Sequence, residues 1–124
     1  MNKPGEHGLT RIVSATRYSW QGLRAAWQHE AAFRQEVFLV FLGIPLALLL
    51  ARDGIEFLLL TVPLLLLLLT ELANSAIEAV VDRFGGAKDE LSGRAKDMGS
   101  AAVFMALLIA GLCWLTILYR VFFQ

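Results

Sequence analysis

Gly99-Ser-Ala-Ala-Val-Phe-Met-Ala-Leu-Leu-Ile-Ala-Gly-Leu-Cys-Trp-Leu-Thr-Ile-Leu-Tyr119 runs for twenty-one residues without a charged side chain. A helix rising about 1.5 Å per residue over that length covers the ~30 Å hydrocarbon core of a bilayer. The stretch therefore reads as a full transmembrane helix. Upstream it extends through Asp97 and Lys96 to Ser92, whose hydroxyl suits a helix N-cap, so a membrane helix is expected over residues 92–123. Before it, Phe84-Gly85-Gly86 opens a charged loop. Residues 57–70 are apolar and Leu-rich, and the helical pattern continues from Glu71 to Asp82. A second span over 55–82 follows, with Glu71 inside the membrane boundary. Residues 37–51 form another uncharged apolar run, too short alone but completed by the preceding turn into a span over 33–51. Arg52-Asp53-Gly54 is a tight polar turn that sends the second span back antiparallel to the first. Pro45 and Pro63 fall inside these apolar helices, where each removes a backbone donor and kinks are expected.

The composition agrees. Of the 124 residues, 57% are hydrophobic, and the mean hydropathy is +0.61. A soluble domain of this size has too little interior to hide so much apolar surface. The formal net charge is zero, so nothing points to nucleic acid. The lone Cys113 lies in an apolar run and supports neither a disulfide framework nor a thiolate metal site. No short apolar core follows a basic start, so a secretory signal is not expected. Residues 1–9 read as a frayed tail. Over about 10–36 the pattern is helical. Ile12, Trp20, Leu23 and Trp27 fall within about 80° of one another at 100° per residue, and Arg17, Gln21, Arg24 and Gln28 make a separate polar stripe. Such a helix lies well in a membrane interface, although the same pattern would also pack on a protein core. The expected fold is an all-α membrane protein: one domain over 1–124, with an N-terminal amphipathic interfacial helix and three transmembrane helices.

Basic residues set the expected orientation. Lys3, Arg11, Arg17, Arg24 and Arg34 precede the first span, and Arg83, Lys88, Arg94 and Lys96 lie between the second and third. Only Arg52 and Arg120 fall on the other side. The split of nine to two puts the N-terminus and the second loop in the cytoplasm, and the C-terminus outside.

The chemistry concentrates at that cytoplasmic end. Glu71, Asn74, Glu78 and Asp82 are spaced so that all four fall within about 80° on one helix face. Ionised carboxylates near hydrocarbon are costly, and stacking like charges adds to the cost. A divalent cation or bound ligand would compensate, and oxygen-only ligands suit Mg²⁺. The bland alternative is a solvated helix end whose acids pair with Arg83 or Arg94; it serves Asp82 better than the deeper Glu71. Lys96 would neutralise phosphate and Asp97 would accept from ribose or base, unless both merely anchor the interface. Glu30 and Glu36 add two acids near the first helix junction. The Gly-rich phosphate loops and kinase motifs of soluble enzymes are absent, and His7 and His29 are too few for a histidine metal site. Residues alone therefore stop at a multivalent-cation or phosphate site near a membrane surface.

These strings resemble the small prokaryotic diacylglycerol kinase family, integral membrane lipid kinases unrelated to soluble kinases. The likeness runs through Thr10-Arg11, Tyr18-Ser19-Trp20, Gly22-Leu-Arg-Ala-Ala-Trp27 and Glu30-Ala-Ala-Phe-Arg-Gln-Glu36. It is densest at Glu71-Leu-Ala-Asn-Ser-Ala-Ile-Glu-Ala-Val-Val-Asp-Arg83 and Leu91-Ser-Gly-Arg-Ala-Lys-Asp-Met-Gly-Ser-Ala-Ala102. The resemblance implies ATP- and Mg²⁺-dependent phosphorylation of diacylglycerol to phosphatidic acid. It also implies a homotrimer with sites shared between subunits, in a bacterial inner membrane. Carried over, Glu71 resembles the general base for the lipid hydroxyl and Asn74 a polar orienter beside it. Glu30 and Glu78 resemble metal-binding carboxylates that also face the nucleotide. Arg11, Tyr18, Lys96 and Asp97 resemble nucleotide contacts, and Trp20 and Ser100 substrate contacts along with Glu71. The sequence departs from the family in the 64–69 Leu run and at Pro63, which bears on helix tilt and lipid-chain preference. Gram-positive members phosphorylate undecaprenol instead, so that substrate stays open. So does a different class, a small cation- or proton-coupled transporter, although its carboxylate belongs near mid-bilayer. A purely structural membrane subunit is the third alternative, and Glu71 argues against it. Three spans cannot enclose the polar face, so sequence physics itself asks for an oligomer.

Overall fold

The computed structural model describes residues 7–86 and 88–124. Most of the expected tail over 1–9, including Lys3, lies outside them, but Gly8 and Leu9, read as part of that tail, already belong to the first helix. Four helices follow in order: α1 Gly8–His29, α2 Ala31–Leu50, α3 Gly54–Arg83 and α4 Glu90–Phe123. The last three are long and apolar enough to cross a membrane. α3 packs chiefly on α4 and next on α2, while α1 touches α2 and α3 lightly. α3 is therefore the centre of the bundle.

Two boundaries differ from expectation. The periodicity of residues 10–36 predicts one helix running into the first span, yet α1 ends at His29 and α2 begins at Ala31. Glu30 between them is extended, with φ −119° and ψ 106°. Its N–H still bonds the Ala26 carbonyl at 2.9 Å, and its carbonyl accepts from the Arg34 N–H at 3.3 Å. One residue thus caps both helices and lets the chain change direction with its own backbone groups satisfied. The Arg34 guanidinium reaches back to the Trp27 carbonyl at 2.7 Å and satisfies one more orphan acceptor at the end of α1. The second correction concerns α4, which starts at Glu90 and not at Ser92. Its cap is Asp89, whose carboxylate accepts the Ser92 N–H at 2.7 Å and the Ser92 hydroxyl at 3.0 Å. A carboxylate at that position meets the positive end of the helix dipole, which a serine cap would not. Gly85 and Gly86 take positive φ, 97° and 76°, in the turn that leaves α3.

The bundle has two ends. At the near end α2 begins, α3 finishes and α4 begins; at the far end the three reverse roles. Ala47, Leu60 and Ile117 make the fully buried core of the far half, with Phe57 and Trp114 packed against it. The Trp114 indole donates to the Leu60 carbonyl at 2.9 Å, one turn before Pro63. Both prolines sit within unbroken helices. Gly43 lets α2 approach α3: a Cβ there would stand 2.6 Å from Leu64 Cδ1. Outward-facing side chains are apolar, with Leu49 84%, Leu112 69% and Leu69 60% exposed. That arrangement suits lipid and not water.

Arg52 and Arg120, expected simply as the two far-side charges, are tied together by an acid that sequence reasoning passed over. Glu56 is only 2% exposed. Its carboxylate accepts the Arg52 backbone N–H at 2.9 Å and meets Arg120 Nη1 at 3.0 Å. The Arg52 guanidinium also donates to the Arg120 carbonyl. The 51–53 turn is thereby clasped to the end of α4.

Candidate active site

α3 and α4 are about 45 and 51 Å long at 1.5 Å per residue, against ~30 Å of hydrocarbon. Both have length to spare at the near end. The carboxylate stripe begins with Glu71, about 26 Å along α3 and still level with α2, and runs out onto the excess through Glu78 and Asp82. Glu71, Asn74 and Ser75 are buried, at 6%, 8% and 9% exposure. Glu78 is half-buried and Asp82 exposed. The Asn74 amide donates to Glu78 Oε1 at 3.2 Å. Its amide oxygen is buried without a partner and points at Gly99 of α4, where a Cβ would fall 3.3 Å from Asn74 Cγ and closer still to Oδ1. The absence of a side chain at Gly99 is what lets Asn74 lie between the helices.

The bend at Glu30 brings a second element in. The Glu30 and Glu78 carboxylates lie near enough to Glu71 to repel its charge, and Glu71 acts likewise on Glu36. Four acids from α2, α3 and the α1–α2 junction thus share one neighbourhood. Glu36 Oε2 is buried and unpartnered. Beside them a groove of about 680 Å³ runs between α1 and α3, lined by Gly22, Ala26, His29, Glu30, Ser75 and Ala79 among others. Its walls are mostly apolar, and its polar lining comes from Ser19, His29 and Glu30 on one side and Ser75 on the other.

Of the residues singled out from sequence, the structure brings Glu30, Glu71, Asn74 and Glu78 together. It adds Glu36, named there only as a nearby acid, and Ser75, which was not singled out. Lys96 sits one turn before Gly99 and pairs with Asp82 at 2.7 Å; Arg94 pairs with Glu90 at 3.4 Å and not with Asp82. Asp97 and Ser100 are exposed. On α1, Arg11 and Trp20 are exposed and Tyr18 half-buried, with the Arg17 guanidinium 5.3 Å from the Tyr18 ring. Among the described residues no hydrogen bond or ion pair joins Arg11, Tyr18, Trp20, Asp97 or Ser100 to the cluster.

The donor set bears on a cation. Among the described residues no group of three or more His, Cys, Asp or Glu side chains is arranged to hold a metal. Glu30 and Glu78 nonetheless offer hard oxygen ligands, both half-buried. That fits an ion held by one or two carboxylates and completed by phosphate and water, as Mg²⁺ is, and does not fit a dedicated protein cage.

Three helices long and apolar enough to cross a membrane, with a carboxylate cluster toward one end of the bundle, define an integral membrane protein of the all-α class. The profile of the prokaryotic diacylglycerol kinases matches residues 17–118, and the chain belongs to that family of inner-membrane lipid kinases. The diacylglycerol kinase of Escherichia coli (strain K12) is 53% identical over 115 residues, covering 93% of this chain and 94% of that one. That of Haemophilus influenzae is 51% identical over 112 residues, 90% and 95% of the two chains. That of Pseudomonas aeruginosa is 51% identical over 114 residues, 92% and 93%.

Proposed function

We propose that this chain transfers the γ-phosphoryl group of ATP to diacylglycerol, making phosphatidic acid at the cytoplasmic face of the inner membrane. The observation that carries the reading is the placing of Glu71, Asn74, Glu78 and Glu30 together where α3 leaves the apolar part of the bundle, in a member of this family. Phosphoryl transfer needs positioning and charge compensation more than covalent chemistry. ATP comes from water and the hydroxyl from the bilayer surface. Glu71 lies on the membrane side of the cluster and accepts the lipid hydroxyl's proton. Glu78 lies about 10 Å further along the helix, toward water. Asn74 between them holds Glu78 in place through its amide. Glu30 and Glu78 would hold Mg²⁺, which when bound offsets their repulsion and the charge of the phosphates.

α1 lies in the membrane interface in this reading. Its Ile12, Trp20, Leu23 and Trp27 stay 61%, 66%, 42% and 43% exposed, although Trp27 meets the Phe38 ring at 6.2 Å and Leu23 lines the groove toward α3. The N-terminus faces the cytoplasm and the C-terminus the periplasm, by the distribution of Lys and Arg. The working unit is a homotrimer with shared sites. In support, Lys96 and Gly99 face α3 while Asp97 is exposed away from its own cluster, free to serve a neighbour's together with Arg11, Tyr18 and Ser100. The test is purified protein in micelles with ATP, Mg²⁺ and a short-chain diacylglycerol, run beside undecaprenol. Phosphorylated diacylglycerol is expected. Product from undecaprenol alone would reassign the substrate, and product from neither would overturn the reading.

A further inference from the structure

Ser75 is left without an internal role. Its Oγ is buried and has no hydrogen-bond partner, and the residue is 9% exposed. Helix hydroxyls normally settle on the carbonyl one turn back. Thr16, Ser19, Thr61 and Thr116 all do so, at 2.7–2.9 Å. Ser75 does not, although the Glu71 carbonyl occupies the equivalent place. A buried hydroxyl with no partner destabilises the resting protein, so its presence calls for a partner that arrives later.

Its position says which partner. At 100° per residue Ser75 stands about 40° from Glu71 and about 40° from Ala79, on the border between the carboxylate stripe and the groove face. Along the axis it lies about 6 Å beyond Glu71 and about 4.5 Å short of Glu78. It also lines the same groove as Glu30. On the proposed reading, the lipid hydroxyl sits at Glu71 and the nucleotide phosphates at the Glu30–Glu78 level. The group in transit must then pass the level of Ser75.

We propose that the Ser75 hydroxyl is a catalytic residue that donates a hydrogen bond to a non-bridging oxygen of the phosphoryl group during transfer. This inference rests on the kinase reading. In the step, the lipid oxygen forms a bond to the γ-phosphorus and its proton passes to the Glu71 carboxylate. The bond from the γ-phosphorus to the bridging oxygen breaks, and its electron pair leaves with ADP. Ser75 neither gains nor loses a proton. Its donor meets charge spread over the equatorial oxygens, which no group of the resting protein supplies.

The test compares Ser75→Ala and Ser75→Thr with wild type in mixed micelles, measuring kcat and both KM values, oligomer size and resistance to unfolding. Loss of one donor to a charged transition state predicts a kcat lower by about tenfold to a hundredfold in Ser75→Ala, with both KM values within about twofold. Ser75→Thr, which keeps the hydroxyl, should recover most of the rate. Because the hydroxyl has no partner at rest, Ser75→Ala should be at least as resistant to unfolding as wild type, a result that a structural role would not give. A wild-type kcat in Ser75→Ala, a loss confined to KM, a stable but equally slow Ser75→Thr, or a destabilised Ser75→Ala would each overturn the proposal. Wild-type protein that phosphorylates no lipid would instead overturn the kinase reading on which it rests.

Discussion

Gly99→Ala adds a single methyl group, and the structure says where it goes. The new Cβ would enter the Asn74 amide oxygen and stand 3.3 Å from Asn74 Cγ and 3.6 Å from Ile77 Cδ1. Asn74 is 8% exposed, so its amide cannot swing into water. Either α4 shifts away from α3 or the amide rotates and gives up its bond to Glu78. Overpacking of this kind costs about 1–3 kcal/mol. A hydrogen bond to a charged group contributes about 1.5–3 kcal/mol, and some of that is recovered if water reaches Glu78. If about 1.4–2.8 kcal/mol of the total falls on the transition state, the rate drops about tenfold to a hundredfold. Initial rates in mixed micelles and an unfolding titration in the same detergent separate the two contributions. The deciding comparison is with Asn74→Ala. Once that amide is gone the methyl at position 99 meets no clash, so in the unfolding titration Asn74→Ala/Gly99→Ala should be no less stable than Asn74→Ala alone. Wild-type rates in Gly99→Ala, or losses that simply add in the double variant, would refute the claim that Gly99 acts through Asn74.

Other outcomes follow from the same geometry. Glu71→Gln should abolish transfer while assembly persists, since it keeps shape and removes the base; phosphatidic acid formation beside oligomer size checks it, and near wild-type turnover would end the base assignment. Glu78→Ala should raise the Mg²⁺ concentration needed for half-maximal rate as well as lowering the rate, whereas an unchanged midpoint would point to another role for Glu78. Oligomers reassembled from Asn74→Ala and Asp97→Ala subunits, each inactive alone, should regain part of the activity if sites are shared; mixed oligomers that form but stay inactive would place each site within one chain. Arg120→Ala strands the buried Glu56 carboxylate. It should cost about 2–3 kcal/mol, below the usual 3–5 for a broken buried pair because Arg120 is itself 45% exposed. Glu56→Gln should cost less, because it leaves no buried charge behind; unfolding titrations that rank the two equally would contradict the asymmetry.

The three spans and the carboxylate face were readable because they rest on period and length alone. A twenty-one-residue uncharged run has few soluble interpretations, and acids spaced three to four residues apart share a face whatever the tertiary context. The break at Glu30 left no such mark. His29, Glu30 and Ala31 are ordinary helix residues, without the proline or glycine that would announce a change of direction, so local pattern extends the helix through them. Tertiary packing overrides that propensity, and it is the override that carries Glu30 to Glu71. Gly99 likewise reads as a small residue in an apolar run until the facing helix is known. The Glu56–Arg120 clasp joins residues far apart in the chain, and only the antiparallel closure of α3 on α4 brings them together. The missing internal bond of Ser75 shows only in the folded protein, since any helical serine would be assumed to bond its preceding turn.

The unequal helix lengths make the molecule a gauge of its membrane. α2 is about 30 Å long, close to the hydrocarbon thickness, while α3 and α4 are about half as long again. The far end is fixed by the clasp among Arg52, Glu56 and Arg120, so a change in bilayer thickness is taken up at the near end. A thicker leaflet would draw the level of Glu71 down among acyl chains, where a nucleotide cannot follow. A thinner one would lift Glu71 clear of the plane in which a lipid hydroxyl floats. Mismatch costs only fractions of a kcal/mol per ångström, too little to unseat the bundle, yet a shift of one helical turn is enough to separate two substrates that must meet within bonding distance.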